Sequence, residues 1–273
     1  MPLYQALILA IVQSLTEFFP ISSTAHLALT PWLLGWRDPG LSFDIALHLG
    51  TLAALVAYFL RDWLELLAAA WRPGSRRDTE IGRNPRLLWL LALATAPAVV
   101  AGAVFHQQAE TAWRSPYVMA TMLILIAGLM YVADRVGARR RGLGEVSLAD
   151  ALWTGGAQAV ALVPGTSRSG ITISAGLLLG LDRPAAARFS FLLSTPALAG
   201  AALKAAWDLH RQGGIPADMQ LPFLVGVLAS AATGWIVIAF FLRFLRTHTL
   251  RFFVYYRVVF GIIVIALAVF FRR

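Results

Sequence analysis

Apolar residues run along most of the chain in stretches of about twenty, separated by short polar clusters. A bilayer core about 30 Å thick is crossed by roughly 20 apolar residues in helical form. Six spans of that kind are predicted: Leu41–Leu60, Leu87–Phe105, Tyr117–Val136, Ala185–Ala205, Leu221–Leu242 and Phe252–Phe271. Two further stretches, Leu3–Trp36 and Leu148–Leu181, carry polar groups in their middle. The first is interrupted by Gln13, Glu17, Pro20, Ser22, Ser23, Thr24 and His26, the second by Gln158, Pro164, Gly165, Ser167, Arg168 and Ser169. Each reads as helix, break, helix. Broken backbone at membrane depth persists only where protein or a wet cavity takes up its polar groups. Both stretches are therefore predicted to be re-entrant helix hairpins. The first has no basic leading segment and holds Gln13 and Glu17 within its apolar part, so it does not read as a cleavable signal peptide.

Composition agrees with this pattern. Of the 273 residues, 59% are hydrophobic and 14% charged, against about a quarter charged in soluble domains; the mean hydropathy is +0.70. A soluble globule and a disordered chain are both excluded. The net charge of +9 could point to nucleic acid. However, 22 of the 23 basic residues are arginine, mostly clustered between apolar stretches, as in a polytopic membrane protein. No nucleic-acid partner is expected. The absence of cysteine removes disulfides and thiolate chemistry. The expectation is an all-α polytopic membrane protein, with residues 1–273 as a single membrane domain.

The chain also looks duplicated. Gln13 and the run Pro20–Ile21–Ser22–Ser23 resemble Gln158 and Pro164–Gly165–Thr166–Ser167, with the prolines and last serines offset by 144 residues. Leu34–Gly35–Trp36–Arg37–Asp38–Pro39 resembles Leu179–Gly180–Leu181–Asp182–Arg183–Pro184 at an offset of 145. Residues 1–136 and 145–273 would each be one hairpin plus three spans, and an odd number of spans inverts the second half. If each hairpin returns to its own side, 14 basic residues fall on one side: Arg61, Arg72, Arg76, Arg77, Arg83, Arg86, Arg135, Arg139, Arg140, Arg141, Arg183, Arg243, Arg246 and Arg251. The other side has 6: Arg37, Arg114, Lys204, Arg211, Arg272 and Arg273. The positive-inside rule places the first side in the cytoplasm. The two hairpins then enter from opposite faces and their breaks meet near the midplane, a plan suited to binding a substrate inside the membrane.

The breaks carry the chemistry. Gln13 and Glu17 are four residues apart and share a helix face; an ionisable residue at this depth is a functional candidate, although Glu17 could also serve as a structural partner of Arg168. Ser22, Ser23 and Thr24 suit the start of a new half-helix, where Ser22 and Thr24 could simply be caps. The unpaired N–H groups of such a helix start attract anions. The second break repeats this with Gly165, Thr166, Ser167, Arg168, Ser169 and Gly170, and the planar fork of Arg168 matches phosphate oxygens. Gly165 and Gly170 allow close backbone approach to a ligand. Two helix starts, one arginine and a row of hydroxyls make a phosphate site; Glu17 and His26 add groups for a metal ion or for proton transfer. His48, with Asp44 four residues before it, reads mainly as a satisfied polar pair or an interfacial contact, with support of the site from behind as the functional alternative. Thr172 and Ser174 suit hydrogen bonds within the second half-helix, with Thr172 also in reach of a ligand.

At these residues the sequence resembles the undecaprenyl-pyrophosphate phosphatase family of the bacitracin-resistance type. That family is marked by (Glu/Gln)-x-x-x-Glu followed by Pro-x-Ser-Ser-Thr-x-His, here Gln13, Glu17, Pro20, Ser22, Ser23, Thr24 and His26. Its second mark, Pro-Gly-x-Ser-Arg-Ser-x-x-Thr, is met by Pro164, Gly165, Ser167, Arg168, Ser169 and Thr172. Gln13 leaves one carboxylate where many members have two. The likeness spans the whole chain. It implies a bacterial inner-membrane enzyme that removes the terminal phosphate of a C55 isoprenyl pyrophosphate and so recycles the lipid carrier of cell-wall precursors. It also implies a divalent cation, Mg²⁺ or Ca²⁺, and bacitracin as a competitor for the same lipid; a homodimer is left open.

In that light, Arg168 and the two helix starts hold the pyrophosphate, with Gln13, Ser22, Thr24, Gly165, Thr166, Ser167, Ser169 and Thr172 as further substrate contacts. Metal is held through Glu17 and Gln13. Ser23 attacks the distal phosphorus with His26 as its base, or as acid to the leaving group; metal-bound water attacking directly is the alternative. Neither a Cys-x5-Arg motif nor a Walker A motif is present to support a soluble-phosphatase mechanism. From a different class, the inverted repeat also suits a transporter or flippase of a lipid phosphate or small anion, and a lipid-binding scaffold would need neither break.

Overall fold

The computed structural model describes residues 1–37, 39–71, 78–211 and 213–270, apart from the side chains of residues 41, 42, 106 and 110. Asp38, Arg72, Arg76, Arg77, Arg272 and Arg273 of the patterns above, and Phe271 at the end of the last predicted span, lie outside the described residues. The order is α1 (Leu3–Phe18), α2 (Ser23–Leu33), α3 (Leu41–Tyr58), α4 (Leu60–Trp71), α5 (Leu87–Glu110), α6 (Pro116–Val136), α7 (Leu148–Val160), α8 (Arg168–Leu178), α9 (Arg183–Arg211), α10 (Gln220–Phe244) and α11 (Arg251–Phe270). Among the described residues there is no strand beyond one isolated bridge, Arg141 to Leu181.

Each predicted span lies on a helix. α5, α6, α9, α10 and α11 are long and apolar enough to cross a membrane, and the bent pair α3–α4 makes a sixth if it counts as one. The chain is thus a polytopic, all-helical membrane protein. The bend itself, 62° at Phe59, was not expected. The predicted span stops at Leu60, but helix resumes there as α4, which buries Leu66 and Ala69 and leaves Leu64, Leu67 and Trp71 exposed. A helix with one polar and one apolar side is stable along an interface rather than across it.

Packing depends on small residues, as is usual where lipid offers no hydrophobic drive between helices. Gly50 of α3 lies against α10, where an added Cβ would stand 2.5 Å from both Ser230 Cβ and the Val227 carbonyl oxygen. α1 packs against α10, with Ser14 Oγ donating to the Ser230 carbonyl at 2.9 Å. α7 packs against α5, where Gly155 meets Ala94. α6 packs against α11. Arginines tie the loop-side ends of several helices together. Arg183 Nε bonds Asp134 at 2.5 Å, Arg188 grips Asp62 through two bonds of 2.8 and 2.9 Å, and Arg141 pairs with Asp150 at the start of α7.

The seat of α7 gives an internally controlled prediction. A Cβ at Gly155 would lie 2.5 Å from the Ala94 carbonyl oxygen, whereas one at the adjacent Gly156 would meet nothing within 4 Å. Gly155→Ala should lower the melting temperature in detergent. Gly156→Ala should hold or raise it, since alanine is favoured over glycine inside a helix by about 0.5–1 kcal/mol. Equal melting temperatures for the two variants would contradict this packing.

Candidate active site

The first break begins where Pro20, lacking an N–H, ends α1. Helix resumes at Ser23 after Ser22, whose φ is +80°. The second break runs from Ala161 to Ser167, whose φ is +67°, and helix resumes at Arg168. A left-handed backbone at a non-glycine residue is uncommon and clusters at functional sites. Here it occurs at the N-cap of both half-helices. Ser22 and Ser167 are 145 residues apart, as are Gln13 and Gln158. The offset of 144, which matched Ser23 with Ser167, is therefore corrected. The second break has one more residue between its proline and its N-cap serine, and Gly165 accommodates it. Its φ is +91°, and a Cβ there would stand 2.3 Å from the Met119 carbonyl oxygen of α6. The glycine is thus required by close packing on α6 as well as by its conformation.

In this register Ser23 and Arg168 are counterparts, each the first residue of its half-helix. Both reach the same carboxylate. Ser23 Oγ donates to Glu17 Oε2 at 2.6 Å, and Arg168 Nη2 pairs with Glu17 Oε1. Gln13 Nε2 adds a longer contact of 3.4 Å to Glu17 Oε2. Glu17 is therefore both partner to Arg168 and hydrogen-bonded to a hydroxyl. These groups face a cavity of about 350 Å³, lined by Glu17, Ser22, Ser23, Thr24, Ser167 and Arg168, with Thr16, His48, Gln158 and Gly165 also on its wall. The starts of α2 and α8 meet at it, so two positive helix ends bear on one space. His48 Nδ1 bonds the Asp44 backbone carbonyl at 2.8 Å, not the Asp44 carboxylate. A second cavity, of about 260 Å³, continues from Thr24 and His48 toward Arg114.

Several expected contacts lie outside the cavity wall. Gln13 is fully buried behind Glu17. Thr166 Oγ1 bonds the Val160 carbonyl, Ser169 Oγ the Phe19 carbonyl, and Thr172 Oγ1 both the Arg168 carbonyl and Ser190. These hydroxyls hold the breaks together. Gly170 sits against Ser167 and Met130. The pairing of Ser23 with His26 is also not what the structure has. His26 Nδ1 lies 2.7 Å from the Ser22 carbonyl, which can only accept, so Nδ1 carries the proton. Its Nε2 faces the Tyr256 hydroxyl at 2.6 Å, and the ring stacks on Phe260. One helical turn does bring residues 23 and 26 close in sequence, but α11 draws the imidazole to its own side.

Sequence reasoning missed Arg257. Its side chain is fully buried, and among the described residues no carboxylate pairs with it. Instead the guanidinium donates to five backbone carbonyls: Nε to Leu123 at 3.1 Å, Nη1 to Pro20 at 3.2 Å, and Nη2 to Met122, Gly165 and Thr166 at 3.2, 2.9 and 3.0 Å. One arginine thus satisfies both breaks and fastens them to α6. The signal was present: a lone arginine within an apolar span is as anomalous as Glu17, which that criterion singled out.

The site and fold define a polytopic membrane protein in which two broken helices converge on a cavity lined by a hydroxyl, a carboxylate and a guanidinium. The chain belongs to the family described as bacitracin resistance protein BacA, whose model matches residues 6–263. It is 50% identical to a protein of Gemmatimonas aurantiaca named undecaprenyl-diphosphatase, over 97% of this chain and 98% of that one. Relatives of the same name in Pelotomaculum thermopropionicum and Thermomicrobium roseum are 47% and 43% identical, covering 98% and 100% of this chain and 97% and 100% of their own lengths.

Arg257→Lys tests the clamp. The carbonyls of Pro20, Gly165 and Thr166 lie in the breaks and are reached by two separate guanidinium nitrogens; a single ammonium nitrogen cannot span them in the same way, and each buried carbonyl left without a bond costs about 1–3 kcal/mol. The variant should melt several degrees lower in detergent and turn over more slowly. An unchanged melt would mean that the breaks hold without it.

Proposed function

We propose that this chain hydrolyses undecaprenyl pyrophosphate to undecaprenyl phosphate and inorganic phosphate, recycling the lipid carrier of cell-wall synthesis and conferring bacitracin resistance. The observation that carries this reading is Glu17 held between Ser23 and Arg168 at the convergent starts of α2 and α8, in a chain whose relatives are named for this activity. Bacitracin would compete for the same lipid. We further read the layout as six spans plus two re-entrant hairpins, α1–α2 and α7–α8, in an inverted repeat within the bacterial inner membrane. The matched left-handed serines support the repeat, as does the packing of α1 on α10 and α7 on α5.

In the mechanism, Arg168 and the N–H groups of both helix starts bind the pyrophosphate. Ser23 Oγ attacks the distal phosphorus while Glu17 takes its proton. The bond from that phosphorus to the bridging oxygen breaks, and undecaprenyl phosphate leaves. Water then attacks the phosphoserine: its oxygen bonds to phosphorus as the bond to Ser23 Oγ breaks, Glu17 returns the proton to Oγ, and inorganic phosphate leaves. His26, held against Tyr256 and Phe260, fixes the start of α2 through the Ser22 carbonyl rather than serving as the base.

A divalent cation, Mg²⁺ or Ca²⁺, fits the residues present. Among the described residues no cluster of three acidic or histidine side chains is built for one. Glu17 and the unpartnered, buried Oε1 of Gln13 offer oxygens of the kind such ions prefer, and Mg²⁺ commonly uses one or two carboxylates plus substrate phosphates. Bound there, the cation would neutralise charge on the phosphates.

The purified protein in detergent should release phosphate from undecaprenyl or farnesyl pyrophosphate, and EDTA should suppress the release. A transporter would release none. Ser23→Ala should nearly abolish turnover at every substrate concentration, whereas Ser167→Ala should mainly raise KM, since one neutral hydrogen bond contributes about 0.5–1.5 kcal/mol. A substantial rate from Ser23→Ala would favour direct attack by water. Arg168→Lys keeps the charge but loses the fork, and kcat/KM should fall at least about tenfold, or roughly 1.4 kcal/mol of transition-state binding.

A further inference from the structure

Resting on that reading of the site, we propose that Gln158 is a substrate-binding residue whose side-chain amide donates to a phosphoryl oxygen of the bound pyrophosphate group. Gln158 belongs to α7 and lines the cavity together with Glu17, Ser167 and Arg168. It is 3% exposed, yet neither its Nε2 nor its Oε1 has a hydrogen-bond partner. An amide buried with both polar atoms unmet is rare and destabilising unless something absent from the protein alone meets them.

The comparison with Gln13 shows why this amide is available. Gln13 has Glu17 four residues on, and its Nε2 turns onto that carboxylate. Four residues beyond Gln158 stands Leu162, which offers nothing polar. The glutamine of α1 thus has its N–H donor turned onto Glu17, while its counterpart on α7 has donor and acceptor both left for a ligand. The surroundings select the ligand. Two helix starts, Arg168 and the hydroxyls of Ser22, Ser23, Thr24 and Ser167 line the same space, so its occupant is an anion rich in acceptors. Nε2 donates to such an occupant, and Oε1 accepts from a water or hydroxyl held on the same phosphate. Because the amide is neutral, it binds the pyrophosphate without competing for Glu17.

The test uses the full-length protein in detergent, with two measurements: the rise in melting temperature on adding inorganic pyrophosphate, and KM for farnesyl pyrophosphate. Gln158→Leu and Gln158→Met remove the amide at similar volume. Without ligand both variants should melt at or above the wild-type temperature, because an unmet buried amide is gone. Both should lose most of the pyrophosphate-induced rise, and KM should increase about tenfold, the scale of one hydrogen bond to a charged group. Gln158→Glu should be worse than either, since it sets a carboxylate against the phosphate. Wild-type KM and a wild-type pyrophosphate response in the Leu and Met variants would overturn the proposal. So would lower ligand-free melting in both with an intact pyrophosphate response, which would make the amide structural. If the wild type releases no phosphate while pyrophosphate still raises its melt and the Leu variant abolishes the rise, the function proposed above fails and this assignment stands.

Discussion

Backbone carbonyls freed by a broken helix must find donors, and at membrane depth water does not supply them freely. The contact of Arg257 with Pro20, Gly165 and Thr166 answers that requirement for both breaks at once. With the carbonyls of Met122 and Leu123 also engaged, the two breaks are held in register with each other and with α6. The cavity exists because this is done from behind, by a residue that does not line it. The left-handed serines, the Glu17 triad of contacts and the convergence of α2 and α8 all presuppose it. The clamp also brings a guanidinium close behind the cavity, with no carboxylate paired to it among the described residues, and adds to the field of the two helix starts.

Within the cavity, charge is arranged economically. One carboxylate faces one guanidinium, so the empty site is close to neutral across that pair, and burying a charge with its partner avoids most of the penalty of burying it alone. An anion entering the cavity would compete with Glu17 for Arg168, so the binding and proton-transfer roles proposed above would meet at one ion pair. The alanines at positions 98, 197 and 201 keep the remaining wall low and apolar, as suits a ligand whose other end is hydrocarbon.

Much of this was legible in the sequence because the membrane makes few solutions available. Twenty-residue apolar runs become helices, and polar groups within such runs mark exceptions. Glu17, Ser23 and Arg168 were found that way, and the structure brings Ser23 and Arg168 onto the two oxygens of Glu17. Three things were not legible, for different reasons. The direction of His26 depends on Tyr256 and Phe260, which are distant in sequence, so a local spacing argument placed it on the wrong neighbour. The register of the repeat was blurred because proline and serine are frequent in any break, whereas backbone angles identify the matching position directly. Helix α4 lies beyond the predicted span because its charges, Asp62 and Glu65 among them, fall on one side of an otherwise apolar helix and interrupt the apolar run. Arg257 was readable by the criterion already applied to Glu17, but in a count of loop charges it carried no weight.

Ser23 and Arg168 open α2 and α8 in the same way, yet they are unlike groups. Two identical helix starts meeting across a two-fold axis would present two hydroxyls with no cation, or two cations with no hydroxyl. Within one chain the two starts carry different residues, so a hydroxyl and a cation flank one cavity. A near-symmetric pair of broken helices thereby presents an asymmetric set of groups to whatever occupies the space between them.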